Sequence, residues 1–205
     1  MSSKVDGRSL RGDATRLRIL EAARDVLLER GYGGTSTRAV AERADTQLSL
    51  VHYHFHGKQR LLVEVLEREN EQLLERQRRL FESPLSLAEK WRAACAFLDE
   101  DIHSGYVRVL WELWAAGLAD EELAGRWRAA TAGWRELIES LVTAWSAGLE
   151  VELPISPRVV ATLVANVFQG IEIELLAGVG EAEAPHREAL AALGRLIEHA
   201  ESQRV

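Results

Sequence analysis

An all-α fold of about nine helices is what this sequence predicts, and three observations carry that prediction. Few segments of useful length alternate apolar and polar residues, so strands have little support. Apolar residues recur instead at helical spacing along the 205-residue chain. The breaks between such stretches fall at helix-stop and helix-start residues: the only prolines are Pro84, Pro154, Pro157 and Pro185, and none precedes Ser83.

Each element follows from its own signals. A first helix is expected over Asp13 to Arg30, with Ile19, Ala22, Ala23, Val26 and Leu27 on one face; Gly31 and Gly33 stop it. Thr35, Ser36 and Thr37 offer caps for a short second helix to Ala44. Asp45 and Thr46 turn the chain into a short third helix, Gln47 to His54, ended by Gly57; a long fourth runs from Lys58 past Leu80. Ser86 and Glu89 have capping-box spacing and open a fifth helix. A sixth spans Tyr106 to Ala116. Asp120, Glu121 and Glu122 suit the positive end of a long seventh, which ends near Gly148. Ser156-Pro157 starts an eighth and Pro185 a ninth.

Composition narrows the function classes. Hydrophobic residues make up 47% and charged residues 28%, which supports a packed core. One cysteine, Cys95, permits neither an intrachain disulfide nor a multi-cysteine zinc site, and on an Ala-rich face it reads as an inert core thiol. Residues 1–13 lack the apolar core of a signal peptide, and no apolar run approaches ~18 residues, so a cytoplasmic protein with no membrane span is expected. No Gly-rich phosphate loop, G-x-S-x-G or H-E-x-x-H occurs, so neither an enzyme nor a cofactor is expected. His52 and His56 stand four apart, but Gly57 unwinds that turn and no carboxylate or cysteine completes a shell, so no metal is expected. The net charge of −7 divides into +4 over residues 1–60 and −11 over the rest. A basic end on an acidic body suits a polyanion partner.

Residues 35–62 carry the most specific signal. Two short helices about a tight turn, after a longer helix, make a helix-turn-helix unit. The stretch TSTRAVAERADTQLSLVHYHFHGKQRLL resembles the DNA-binding segment of the TetR family of bacterial regulators. The matching elements are Arg30-Gly31-Tyr32, Thr35 and Thr37-Arg38, Ala41 and Ala44, Tyr53-His54-Phe55, and Lys58 with Leu61-Leu62. Two departures stand out: Gln47 occupies a position where the family often has Ser, and Ser49 one where it often has Gly. Because Gln is a poor cap, the third helix can also start at Thr46. The resemblance implies an all-helical C-terminal body that binds a small molecule and dimerises, and it implies a repressor.

The residue types of the segment suit double-stranded DNA. The N-terminal residues of a helix laid in the major groove meet base edges. Here they are Thr46, Gln47, Leu48 and Ser49. Gln47 offers adenine a donor–acceptor pair, and Leu48 offers a thymine methyl an apolar contact. Thr35, Thr37, Arg38, His52, Tyr53 and Lys58 suit phosphate oxygens. Phe55 reads as a core anchor for the third helix. His54 reads as a packing or phosphate-contacting residue. An N-terminal arm with Lys4, Arg8 and Arg11 is expected to lack fixed structure, and its residues leave open whether it enters the minor groove on DNA.

The body reads as a receptor and a dimerisation surface. All six tryptophans lie after residue 90. The stretch VLWELWAAGLADEELAGRWRAATAGWRELI is similar to the C-terminal domains of the betaine-regulator subgroup of the same family. Candidate pocket residues are Trp91, His103, Trp111, Glu112, Trp114, Trp134, Asn166, Gln169 and Glu172. A tryptophan wall with a glutamate would suit a cationic or amphipathic ligand. The eighth helix is apolar nearly all round, so two buried faces are expected, one against a second copy of the chain. Val164, Phe168, Ile171, Leu190, Leu193, Leu196 and Ile197 are the candidate seam. Residues 1–57 are thus expected to bind an operator, and residues 58–205 to bind an unidentified effector and form a homodimer. The competing class, a helical small-molecule binding or scaffold protein without sequence-specific DNA binding, leaves the Thr35–Lys58 constellation without work.

Overall fold

The computed structural model describes residues 6–148 and 154–203, and side chains from Gly12 onward within them. Among the described residues every regular element is a helix: α1 (Asp6–Gly34), α2 (Thr37–Arg43), α3 (Leu48–Phe55), α4 (Lys58–Glu82), α5 (Leu87–Ser104), α6 (Tyr106–Gly117), α7 (Glu121–Gly148), α8 (Pro157–Leu176) and α9 (His186–Ser202).

The local signals act as expected at most ends. Ser36 Oγ accepts the Ala39 N–H and starts α2; Ser156 Oγ accepts the Val159 N–H ahead of Pro157 and starts α8. Ser86 and Glu89 form the reciprocal capping box of α5. Asp120 Oδ1 accepts the Glu122 and Leu123 N–H groups at the start of α7. The largest departure is α1, which begins at Asp6 and continues to Gly34 across a break at Gly31 (φ 66°, ψ 177°). Arg8 and Arg11 therefore lie on helical backbone rather than in an unstructured arm, while Lys4 lies outside the described residues.

The chain divides into two compact units, Met1–Asn70 with Arg108–Arg128, and Glu71–Val107 with Ala129–Val205. This geometric division differs from a cut at residue 57, because the start of α4, most of α6 and the start of α7 group with the first three helices. In the first unit Ile19, Ala23, Val26 and Leu27 of α1 meet Val40, Val51, Phe55, Leu61, Leu62, Val109, Leu113 and Leu123 in one buried cluster. In the second, Leu98, Phe168, Ile171 and Leu190 form one cluster, and Ile138, Val142 and Ala161 form another.

Helix α8 buries Ala161, Ala165, Phe168 and Ile171 and exposes Val159, Leu163, Val167, Ile173 and Leu176. By length and composition alone it is long and apolar enough to cross a membrane. A search for an unbroken apolar run misses this, because Thr162, Asn166 and Gln169 interrupt the run without making the helix polar.

Candidate nucleic-acid interface and ligand cavity

The turn between α2 and α3 is tight. The Thr46 N–H donates to the Ala41 carbonyl at 3.0 Å, and Asp45 takes φ 45°, a left-handed conformation that Asp tolerates better than most residues. The N-cap of α3 is Gln47 and not Thr46; it is extended at φ −75° and ψ 140°, with no capping bond from its side chain. The poor cap leaves the Gln47 amide on the surface, where Ser49 Oγ lies 3.5 Å from its Oε1. At the other end His56 adopts the left-handed conformation and closes α3, so it leaves the helical face of His52.

Helix α3 has two unlike faces. Val51 and Phe55 are buried in the first unit's core. Gln47, Leu48, Ser49, Leu50, His52 and Tyr53 are exposed, Tyr53 at 74%, and Thr46 is half-buried at the turn. Leu50 was not singled out by sequence; its neighbours on the exposed arc were the only signal for it. His54 is half-buried, its ring edge-on to Tyr53 at a centroid distance of 5.1 Å. On α2, Arg38 is exposed and Thr37 half-buried.

Two of the six phosphate candidates make contacts within the fold. Thr35 is 2% exposed and its hydroxyl donates to the Gly31 carbonyl at 2.8 Å. Lys58 Nζ donates to the Tyr32 carbonyl at 2.6 Å and lies 4.1 Å from the centre of the Tyr32 ring. Burial lowers the Lys58 pKa below the usual lysine value. Burial, with Asp120 nearby, raises that of Tyr32. Glu112 joins the same corner, because its carboxylate accepts the Tyr32 N–H at 2.9 Å. A spacing argument cannot find this contact, since the partners stand 80 positions apart.

A cavity of about 300 Å³ lies wholly within the second unit. Trp91 and Trp134, both expected by sequence, line it; so do Trp145, Phe81, Gln77 and Lys90, which were not. Val164, Leu196 and Ile197, assigned by sequence to a subunit seam, also line it. The other pocket candidates lie elsewhere. Trp111 and Trp114 pack on each other at 5.3 Å and on Trp127, in the first unit. Glu112 holds the Tyr32 corner. His103 is exposed at the end of α5, its Nδ1 2.6 Å from the Asp99 carbonyl. Asn166 is exposed on α8, and Gln169 and Glu172 are half-buried outside the cavity wall. Phe168, Ile171 and Leu190 are buried in the subunit's own core, with Phe168 edge-on to Trp91 and Trp134 at 5.7 and 5.9 Å; Leu193 is exposed. Helical spacing identified which residues are apolar but not which of two sides each faces.

A short helix anchored by one face and open on the other, after a capped helix and a tight turn, defines a helix-turn-helix DNA-binding protein. Residues 19–65 match the family described as bacterial regulatory proteins, tetR family. That segment, from within α1 to the start of α4, matches the DNA-binding domain of the TetR family of regulators. The fold is similar to that of a TetR-family regulator from Agrobacterium tumefaciens (18% identity, 88% of this chain and 98% of that chain, TM-score 0.74). It is also similar to a TetR-family member from Streptomyces coelicolor (27%, 87% and 97%, 0.65). A third similar structure, from Saccharomonospora viridis, is a complex with choline (21%, 91% and 97%, 0.73). No curated protein matches the chain.

Proposed function

We propose that this chain is a dimeric cytoplasmic repressor, released from a near-palindromic operator when a small molecule occupies the tryptophan-lined cavity. The carrying observation is the exposed arc of α3, Gln47 to Tyr53, set on a face that Val51 and Phe55 bury. In this reading Thr46, Gln47, Leu48 and Ser49 meet base edges, while Thr37, Arg38, His52 and Tyr53 meet phosphates. Thr35 and Lys58 hold the corner that aims α3. Residues 1–57 carry the DNA contacts and residues 58–205 the effector and dimer functions. The cavity supports an effector role, since ligand sites are concave and mostly apolar. The choline bound in the Saccharomonospora viridis protein supports a ligand site in a protein of this fold. Exposed Val159, Leu163 and Val167 on α8 and Leu193 and Leu196 on α9 support a two-fold seam.

The test starts by sequencing genomic DNA retained by the purified protein, then measures binding to the recovered site. Gln47→Ala should relax preference at one base pair by about 1–3 kcal/mol. Arg38→Ala should weaken binding alike on all sequences and reduce the salt slope by about 0.9. Failure to retain any defined sequence would leave a helical small-molecule binding protein in its place.

A further inference from the structure

We infer that Glu112 is a positioning residue for DNA binding: its carboxylate anchors the helix-turn-helix to α6 through the backbone of Tyr32. The inference rests on the reading of α3 as the helix that meets DNA, and it starts from the break in α1. At Gly31 the backbone takes φ 66° and ψ 177°, which turns the following peptide out of the helical ladder. The freed Tyr32 N–H donates to Glu112 Oε2 at 2.9 Å. The Tyr32 carbonyl accepts from Lys58 Nζ at 2.6 Å, and the Gly31 carbonyl accepts from the Thr35 hydroxyl at 2.8 Å. Thr35 precedes α2 and Lys58 follows α3. The entry and the exit of the helix-turn-helix are therefore tied to one stretch of backbone, Gly31 and Tyr32, and Glu112 ties that stretch to α6.

The neighbouring links are less directional or more exposed. Val109 and Leu113 of α6 share the buried cluster of Val40, Val51 and Phe55, but apolar packing has no preferred direction. Gln59 Nε2 donates to Asp120 Oδ1 at 3.0 Å in solvent, and Arg60 stands 4.0 Å from Glu122. Water competes with both, and exposed pairs of this kind contribute little. Glu112 is half-buried, and a hydrogen bond to an ionised acceptor is about twice as strong as a neutral one. Its own place on α6 is fixed on either side by Trp111 and Trp114, whose rings pack on Trp127. A carboxylate repels phosphate, so whatever Glu112 adds to DNA binding it adds through geometry and against its charge.

Glu112→Ala and Glu112→Gln in the full-length protein test this. On the operator recovered from genomic DNA, Glu112→Ala should bind about tenfold more weakly, the loss of one hydrogen bond to a charged group. On unrelated DNA it should bind as well as the wild type or better, because a negative charge has gone. Glu112→Gln keeps an acceptor oxygen and should return operator affinity to within about threefold of the wild type. Without DNA, amide hydrogen exchange should quicken about tenfold at Tyr32 and across α2 and α3 in Glu112→Ala, and stay near the wild-type rate in Glu112→Gln. Unchanged operator affinity in Glu112→Ala overturns the inference. So does an equal loss on operator and unrelated DNA, the mark of a smaller folded fraction, or equal impairment of the two variants. Unchanged exchange in α2 and α3 overturns it as well. Should the wild type retain no defined sequence, the DNA reading falls, and the exchange rates alone decide whether Glu112 anchors the unit.

Discussion

Around Gly31 and Tyr32, single residues do positional work that their chemistry does not announce. Gly31 sits at φ 66°, and a Cβ there would stand 3.3 Å from Glu112 Oε1. Gly31→Ala therefore combines a left-handed backbone with a crowded carboxylate, and should lower unfolding stability by about 1–2 kcal/mol. Gly33→Ala is the control, since nothing lies within 4 Å of that Cβ; denaturant titration should find it unchanged or slightly stabilised. Cys95 illustrates the opposite case, a reactive group made quiet. Burial, reinforced by Asp99, pushes its thiol up to about 11. At pH 8 only about one thiol in a thousand is ionised, so alkylation of the native protein should be slow. The unfolded thiol ionises first, so this group's contribution to stability holds at neutral pH and declines as pH rises from about 9 to about 11. Fast modification of native Cys95 at pH 8 would contradict that burial.

At the scale of elements, the N-terminus of α5 shows which interactions a sequence displays and which it hides. Ser86 and Glu89 satisfy the local donors, and Ser86→Ala should cost about 1 kcal/mol in denaturant titration. Beyond that box, Glu201 of α9 accepts the Leu87 N–H at 2.9 Å and the Ala88 N–H at 3.3 Å, as well as the Trp145 indole. Glu201→Ala should cost more than Ser86→Ala and shift the tryptophan emission, because it strands three donors at once. The capping box was legible because its partners are three residues apart. The Glu201 latch, 114 positions from Leu87, was not. The same contrast runs through the candidate sites. Phe55 was legible as the core anchor of α3, whereas Val51, buried beside it, was not singled out. The six tryptophans gave no sign that Trp111, Trp114 and Trp127 form one cluster while Trp91, Trp134 and Trp145 line a cavity. That partition is set by which helices pack together, and each Trp is locally equivalent.

For the whole molecule, the functional reading requires two copies, and α8 offers the place to break them apart. Phe168 and Ile171 are unsuited to that test because they fill the subunit's own core, where a charge would unfold the protein. Leu163 is 54% exposed and belongs to the row of Val159, Leu163 and Val167. A stable interface removes about 800 Å² per partner, so a glutamate in its middle is buried without a counter-charge. Leu163→Glu should thus give a folded monomer by sedimentation at micromolar concentration, with the helical signal of the wild type. Its operator affinity should fall by about 10²–10⁴-fold, because the second half-site no longer binds as an intramolecular event. On an isolated half-site, variant and wild type should bind alike, since α3 is untouched. A folded variant that remains dimeric would move the seam away from α8. A monomer with undiminished operator affinity would show that one subunit suffices, and would remove the two-fold operator from the proposal.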